Sequence, residues 1–328
     1  MTENETLQVG IDVGQGGTRV IVRRGTRTER YVSPGYWSAA GNGVVSAVLQ
    51  SVMTAMIPSH TPIQVGIGMT GLNGNAVPID ELSRVLREAF RLHSLTAADD
   101  SVTAYLGAIG THAGAVVAAG TGTVALATDM VTRWGRCDGW GAELGDHGSG
   151  YWIGREGVRR ALRGRDGGAS GHLLTALEKR FGPAVEMPAL WRSLVVTPDQ
   201  IAAFATDVAE VARQGDETAR AIWREAGISL AETVSYALSM AGLERSDVPV
   251  AATGGVFAAR DLVAASFENA LSERHPRAVI SSAPGDPLEG ALALITLPNP
   301  AAFGNLVERA TEAACDPEPV AASRGAGQ

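Results

Sequence analysis

The chain has 328 residues, enough for about two domains at ~150 residues each. Hydrophobic residues make up 45% and charged residues 19%, which excludes a disordered chain. With 35 acidic against 27 basic residues the formal charge is −8, which excludes whole-chain attraction to nucleic acid or an anionic membrane. No apolar run approaches the ~20 residues of a membrane-spanning helix. The N-terminus lacks a secretory pattern, and Cys137 and Cys315 form no metal or redox spacing. A cytoplasmic, soluble protein is expected, with no nucleic-acid or membrane partner.

In chain order, Leu7 to Gly14 alternates apolar residues and reads as a buried strand; Arg19 to Arg24 and Thr28 to Val32 suit two more. Val44 to Met56 carries apolar residues at helical spacing and stops before Pro58. Ile63 to Met69 predicts a strand ending at Thr70, and Ala98 to Ile109 a helix beginning beside Asp99 and Asp100. The first half therefore reads β-β-β-α-β-α. The pattern recurs: strand Ala113 to Ala119, a Gly-Thr-Gly-Thr turn, strand Val124 to Thr128, strand Val131 to Gly135. A glycine-rich loop, Gly139 to Gly150, feeds a helix from Tyr151 to Leu162, and His172 to Gly242 is almost wholly helical. Strands at Val248 to Thr253 and Val279 to Ser282 and a helix from Pro287 to Leu297 follow. From Cys315 the composition suggests a mobile tail. Two α/β domains facing each other across a cleft are expected, divided as 1–111, 112–314 and a tail at 315–328, with ligands in the cleft.

Five segments carry chemistry. Asp12-Val13-Gly14-Gln15-Gly16-Gly17-Thr18 puts a carboxylate at a strand end before a turn whose glycines let N–H groups converge on an anion; Asp12 suits Mg²⁺ held through water. Gly120-Thr121-Gly122-Thr123 repeats the device. Each turn alone also reads as an ordinary hairpin; their matching places in matching halves point to a shared phosphate chain. Gly254-Gly255-Val256 gives a flat ring access to the backbone, or merely a strand-to-helix turn. One of Asp99 and Asp100 can cap a helix, leaving the other as a general base. Gly139 to Gly154 mixes glycine, Asp146 and tryptophans, which suits a sugar pocket or a helix-entry loop. His147 lacks ligand partners at metal spacing.

These segments, with Asp286-Pro287-Leu288-Glu289-Gly290-Ala291, resemble the N-acetylglucosamine kinase and glucosamine kinase group of the BadF/BadG/BcrA/BcrD ATPase family, within the sugar kinase, hsp70 and actin superfamily. The resemblance runs in order to about Leu297. It implies two actin-like (ribonuclease H-like) α/β domains with a central cleft and a helical insertion in the second, and an ATP- and Mg²⁺-dependent amino-sugar kinase. Asp100 then matches the catalytic base and Asp12 the Mg²⁺-associated carboxylate. Gly14, Gln15, Gly16, Gly17 and Thr18 match one phosphate loop, Thr121, Gly122 and Thr123 the other, and Gly254, Gly255 and Val256 the adenosine platform. Acceptor contacts are expected from Tyr36, Thr70, Asp100, Gly122, Thr123, Gly139 and Asp146. Four positions depart from the pattern: Gln15 replaces a glycine, Tyr36 an asparagine, Val124 a polar contact and His147 a glutamate. Three of these touch the expected acceptor site, which keeps glucosamine open beside N-acetylglucosamine. The resemblance also implies a homodimer. A dehydratase-activating ATPase would need cluster-binding cysteines, and a DNA-binding regulator a helix-turn-helix before Leu7.

Overall fold

The computed structural model describes residues 6–14, 17–35, 43–59, 61–72, 75–168, 171–281 and 286–311. Gln15, Gly16, Tyr36, Cys315 and the expected tail lie outside them. The first sheet begins with β1 (Leu7–Val13), β2 (Gly17–Arg24) and β3 (Arg27–Pro34), followed by α1 (Val44–Thr54), β4 (Pro62–Met69), α2 (Ile79–Ala89), β5 (Arg91–Asp99) and α3 (Asp100–Ala108). The second begins with β6 (Gly114–Ala119), β7 (Thr123–Thr128) and β8 (Trp134–Asp138). Helices α4 (Gly150–Arg165), α5 (Gly171–Phe181), α6 (Met187–Arg192), α7 (Pro198–Arg213) and α8 (Glu217–Met240) intervene before β9 (Pro249–Thr253), α9 (Arg260–Arg274) and β10 (Val279–Ser281). The described chain closes with α10 (Pro287–Ile295) and β11 (Val307–Thr311).

The sheets are ordered β11-β5-β4-β1-β2-β3 and β10-β9-β6-β7-β8. In each, an antiparallel meander of three strands joins a parallel strand through its first member, β1 to β4 and β6 to β9. The duplicated topology expected from the sequence is therefore present as hydrogen-bonded ladders. Alternating Leu7, Val9 and Ile11 of β1 pack with Val48, Val65 and Leu86 in one core, while Phe204, Ile222, Leu230 and Val250 lie in another. A third cluster joins the sheets, drawing Val102 and Tyr105 from α3, Val116 from β6 and Leu126 from β7 onto Phe303 and Leu306. Tyr105 and Phe303 meet edge to face at 5.5 Å, worth ~0.5–1.5 kcal/mol beyond area burial. Helices α3 and α10 cross so closely that a Cβ on Gly290 would lie 1.9 Å from the Thr103 carbonyl oxygen.

Several elements differ from the sequence reading. Helix α2 and strand β5 were not expected: α2 buries only Leu82 and Leu86 as large apolar residues, and β5 ends in small Thr96, Ala97 and Ala98. Ala98 and Asp99 close a strand rather than open a helix. The strand expected at Val131 to Gly135 starts instead at Trp134, because Asp129 Oδ1 accepts the amides of Val131, Thr132 and Arg133 at 2.8–2.9 Å and winds them into a loop. Helix α9 and strand β11 were also missed. β11 pairs with β5, Val307 opposite Ala98, so the first sheet takes its edge strand from beyond the 111/112 division. Among the described residues no helix is long and apolar enough to cross a membrane.

Candidate active site

Parallel pairing puts Val13, Met69 and Asp99 level with one another at the ends of β1, β4 and β5. The chain therefore leaves three adjacent strands at one sheet edge, bringing the Gly14 turn, Thr70 and Asp100 together. The Thr70 N–H donates to the Val13 carbonyl at 3.1 Å, and the Gly14 N–H donates to the Gly17 carbonyl at 3.0 Å. A Cβ on Gly14 would sit 2.7 Å from that same oxygen, so the turn closes only without a side chain. Thr18 follows in β2, its hydroxyl buried without a hydrogen-bond partner among the described residues.

Asp99 and Asp100 divide the two roles open in the sequence. Asp99 is buried and caps α3, accepting the Ser101 N–H at 3.1 Å and the Ser101 hydroxyl. Asp100 is left partly exposed. Its carboxyl is pushed up to about 7, first by burial and then by the neighbouring charges of Asp99 and Asp12; a hydrogen bond from the Thr70 hydroxyl and the charge of Arg136 oppose the rise. Asp12 accepts two N–H bonds from Arg19 on Oδ2, at 3.0 and 2.6 Å, and Arg19 also lies 3.9 Å from Asp286 at the start of α10.

The second sheet supplies the opposite wall. The Gly120 N–H donates to the Gly122 carbonyl at 2.9 Å, and α4 starts against this turn, with the Gly150 and Tyr151 amides donating to the Gly120 and Thr121 carbonyls at 2.8 and 3.1 Å. Thr123 is buried and its hydroxyl has no partner among the described residues, as at Thr18. Ala118 pairs with Thr253, so the Gly254-Gly255 turn lies beside the Gly120 turn. Gly254 has φ 98°, and a Cβ there would stand 2.4 Å from the Ala119 carbonyl oxygen. Gly120, Thr121, Ala202, Trp223, Gly255 and Val256 help line a cavity of about 530 Å³, largely apolar and large enough for a nucleoside.

The loop after β8 is held by a side chain that sequence reading missed. Asp138 accepts the Asp146 N–H on Oδ1 at 2.6 Å and the His147 N–H on Oδ2 at 2.9 Å. His147 Nδ1 lies 3.3 Å from the same carboxylate, so the histidine expected to alter the acceptor contact partners Asp138. Asp146 is buried at φ 56° and accepts the Thr123 N–H on Oδ1 at 3.2 Å. Burial raises its carboxyl above the ordinary range, with Asp138 adding to the rise; the Thr123 and Gly141 amides and Arg136 oppose it. A Cβ on Gly122 would stand 2.8 Å from Asp146 Oδ2. Trp140 stands 64% exposed rather than in the core.

Arg136 was also missed. It reaches from β8 to Asp99 Oδ1 at 3.5 Å and donates to the Asp138 carbonyl at 3.0 Å. Gly139, at φ 72°, leaves room for it: a Cβ there would stand 2.7 Å from Nη2. Arg136 and Asp138 alternate along β8 and so share a face; reading the strand at 131–135 hid both. Of the site residues expected from sequence, Asp12, Gly14, Thr70 and Asp100 share one edge. Gly122, Thr123, Gly139 and Asp146 share another, and Arg136 joins the two groups.

Two α/β lobes of duplicated topology, with glycine turns and carboxylates at facing sheet ends, define the actin-like fold of the sugar kinase superfamily. The chain belongs to the BadF/BadG/BcrA/BcrD ATPase family, whose profile matches residues 9–294, and that membership implies ATP use. It is 27% identical over 316 residues to an N-acetyl-D-glucosamine kinase of Dictyostelium discoideum, covering 89% of this chain and 98% of that one. It is 26% identical over 213 residues to an N-acetylmuramic acid/N-acetylglucosamine kinase of Clostridium acetobutylicum, covering 63% and 69%. Among solved structures, a protein of Chromobacterium violaceum provisionally named N-acetylglucosamine kinase superposes with a TM-score of 0.70 at 25% identity, over 89% of this chain and 99% of that one.

Proposed function

We propose that this chain is an ATP-dependent amino-sugar kinase that phosphorylates the 6-hydroxyl of N-acetylglucosamine. The observation that carries the reading is Asp100: a partly exposed carboxylate, spared from capping by Asp99, set near Thr70 and pushed up to about 7. A base with that value is ionised for much of the time near neutrality and still takes a proton readily. The named kinase relatives support the substrate class.

In this reading the adenosine lies in the cavity beside Gly254, Gly255 and Val256, and the phosphates lie between the Gly14 and Gly122 turns. The hydroxyls of Thr18 and Thr123, unpartnered among the described residues, are donors that phosphate oxygens would satisfy. Asp146, held by Thr123 and Asp138, orients the sugar. Asp100 accepts the 6-hydroxyl proton as that oxygen takes the phosphoryl group. The carboxylate of Asp12, with Asp100 nearby, is a hard oxygen donor that fits Mg²⁺ held through water; among the described residues no three His, Cys, Asp or Glu side chains form a protein cage. Bound with the nucleotide, the ion supplies positive charge against the phosphoryl oxygens.

Glucosamine is the second reading, since the Asp146 carboxyl, under the negative charge of Asp138, suits an ammonium group. An ADP-release assay over N-acetylglucosamine, glucosamine, glucose, N-acetylmannosamine and N-acetylmuramic acid decides. Stimulation by N-acetylglucosamine supports the first reading and by glucosamine alone the second. Failure of every sugar to stimulate ADP release rejects both. The position of the phosphate in the product is read by NMR.

A further inference from the structure

Arg136 makes contacts that span the two carboxylate groups of the site, and its own environment is specific. Its side chain is 9% exposed and that of its ion-pair partner Asp99 1%. Nε faces Asp99 Oδ1 at 3.5 Å, on the end of the first sheet; Nη1 donates to the Asp138 carbonyl at 3.0 Å, on the second. Each partner holds one functional carboxylate. Asp99 caps the helix that Asp100 opens, and the Asp138 side chain holds the amides of Asp146 and His147. Gly139 is required to be small by the guanidinium lying against it. A guanidinium is suited to this place because its planar fork makes two directed contacts at once, which an ammonium does not.

We propose that Arg136 is a positioning residue that ties the loop carrying Asp146 to the strand end carrying Asp100, holding the two acceptor-facing carboxylates in register across the gap between the sheets. This rests on the kinase reading above for its catalytic consequence, but the tie itself is a property of the protein without substrate. The charge has a second effect. Asp100 is faced by Asp99, Asp12, the Thr70 hydroxyl and Arg136, and Asp146 by Asp138, Arg136 and the Thr123 and Gly141 amides, with His147 beside Asp138. Arg136 is the cation among both sets, so its removal moves both carboxyls further up.

The test uses Arg136→Met and Arg136→Lys. Amide hydrogen exchange is measured first, because it needs no turnover. The Asp146 and His147 amides should exchange faster in Arg136→Met, with β2 amides unchanged; unchanged exchange at Asp146 and His147 overturns the proposal whatever the enzyme's substrate proves to be. In the kinase assay, Arg136→Met should lower kcat/KM for the sugar on the order of 10²-fold, the scale of a misplacement near 1 Å. KM for ATP should rise less than KM for the sugar, since only the Gly122 turn, and not the Gly14 turn, is bonded to the Asp146 loop. The acid limb of the pH profile should move to higher pH. Arg136→Lys should restore that limb while leaving the sugar KM raised. Equal loss of sugar and ATP affinity with a matching fall in melting temperature would mean a merely structural arginine, and a wild-type sugar KM and pH limb in Arg136→Met would also overturn the idea. A wild-type enzyme that turns over no sugar rejects the kinase reading instead, and the exchange result then stands alone.

Discussion

The backbone N–H of Thr123 donates to Asp146 Oδ1 across 3.2 Å, so the second glycine-threonine turn and the glycine-tryptophan loop form one unit. Both ends of that bond are buried, and Gly122 passes the carboxylate where no side chain fits. A change on either side of it reaches the other, and this coupling shapes the expected outcomes below.

Asp100→Asn should lower kcat ~10²–10⁴-fold, the usual worth of a general base, while KM for ATP changes little. The wild-type rate should rise with pH through the region of about 7, as Asp100 loses its proton. Stability should run the other way. The folded carboxyl holds its proton up to about 7 and the unfolded one releases it near its ordinary value, so between them the folded state binds more protons and stability falls as pH rises. Asp100→Asn should therefore melt higher than wild type at pH 8, measured by calorimetry; a lower melting temperature there contradicts the environment described.

Thr123→Val separates binding from packing. The hydroxyl is buried and unpartnered among the described residues, so the near-isosteric valine should leave the melting temperature unchanged or raised. If phosphate oxygens use that hydroxyl, kcat/KM for ATP should fall ~10–100-fold, the equivalent of one hydrogen bond to a charged group. Steady-state kinetics with varied ATP reads this directly.

Asp12→Asn removes the charge at the mouth of the first turn. The Mg²⁺ concentration for half-maximal rate should rise ~10–100-fold, the range for residues acting on a metal through water. The variant also weakens the pair with Arg19. A magnesium titration at fixed ATP shows the effect, and an unshifted midpoint removes Asp12 from the ion's surroundings.

Gly254→Ala should cost ~1–3 kcal/mol of stability from backbone strain alone, since φ is 98° there. The added Cβ also meets the Ala119 carbonyl, which moves the strand end that carries the Gly120 turn. KM for ATP should rise more than KM for the sugar. Denaturant unfolding and two-substrate kinetics check the two parts.

The sequence by itself determined the duplicated plan. Alternation in β1 and a run of small buried residues in β6, followed by Gly14 and Gly120 turns, are local patterns, and local patterns survive without neighbours. It also narrowed the candidate base to Asp99 or Asp100, because helix capping is a rule of adjacent residues. The tertiary structure decided what depends on partners distant in the chain. β11 became an edge of the first sheet only because β5 offered it hydrogen bonds. The choice of Asp100 over Asp99 was written into the local cap, but its raised carboxyl needed Asp12 from another strand. Arg136 and Asp138 stayed invisible because an arginine and an aspartate on a short edge strand look like solvated charges. Their meaning comes from Asp99, 37 residues away along the chain, and from the amides of a loop that folds back on them. Electrostatic and hydrogen-bond energies depend on distance in space, and spacing along a chain carries that information only within a turn or a strand.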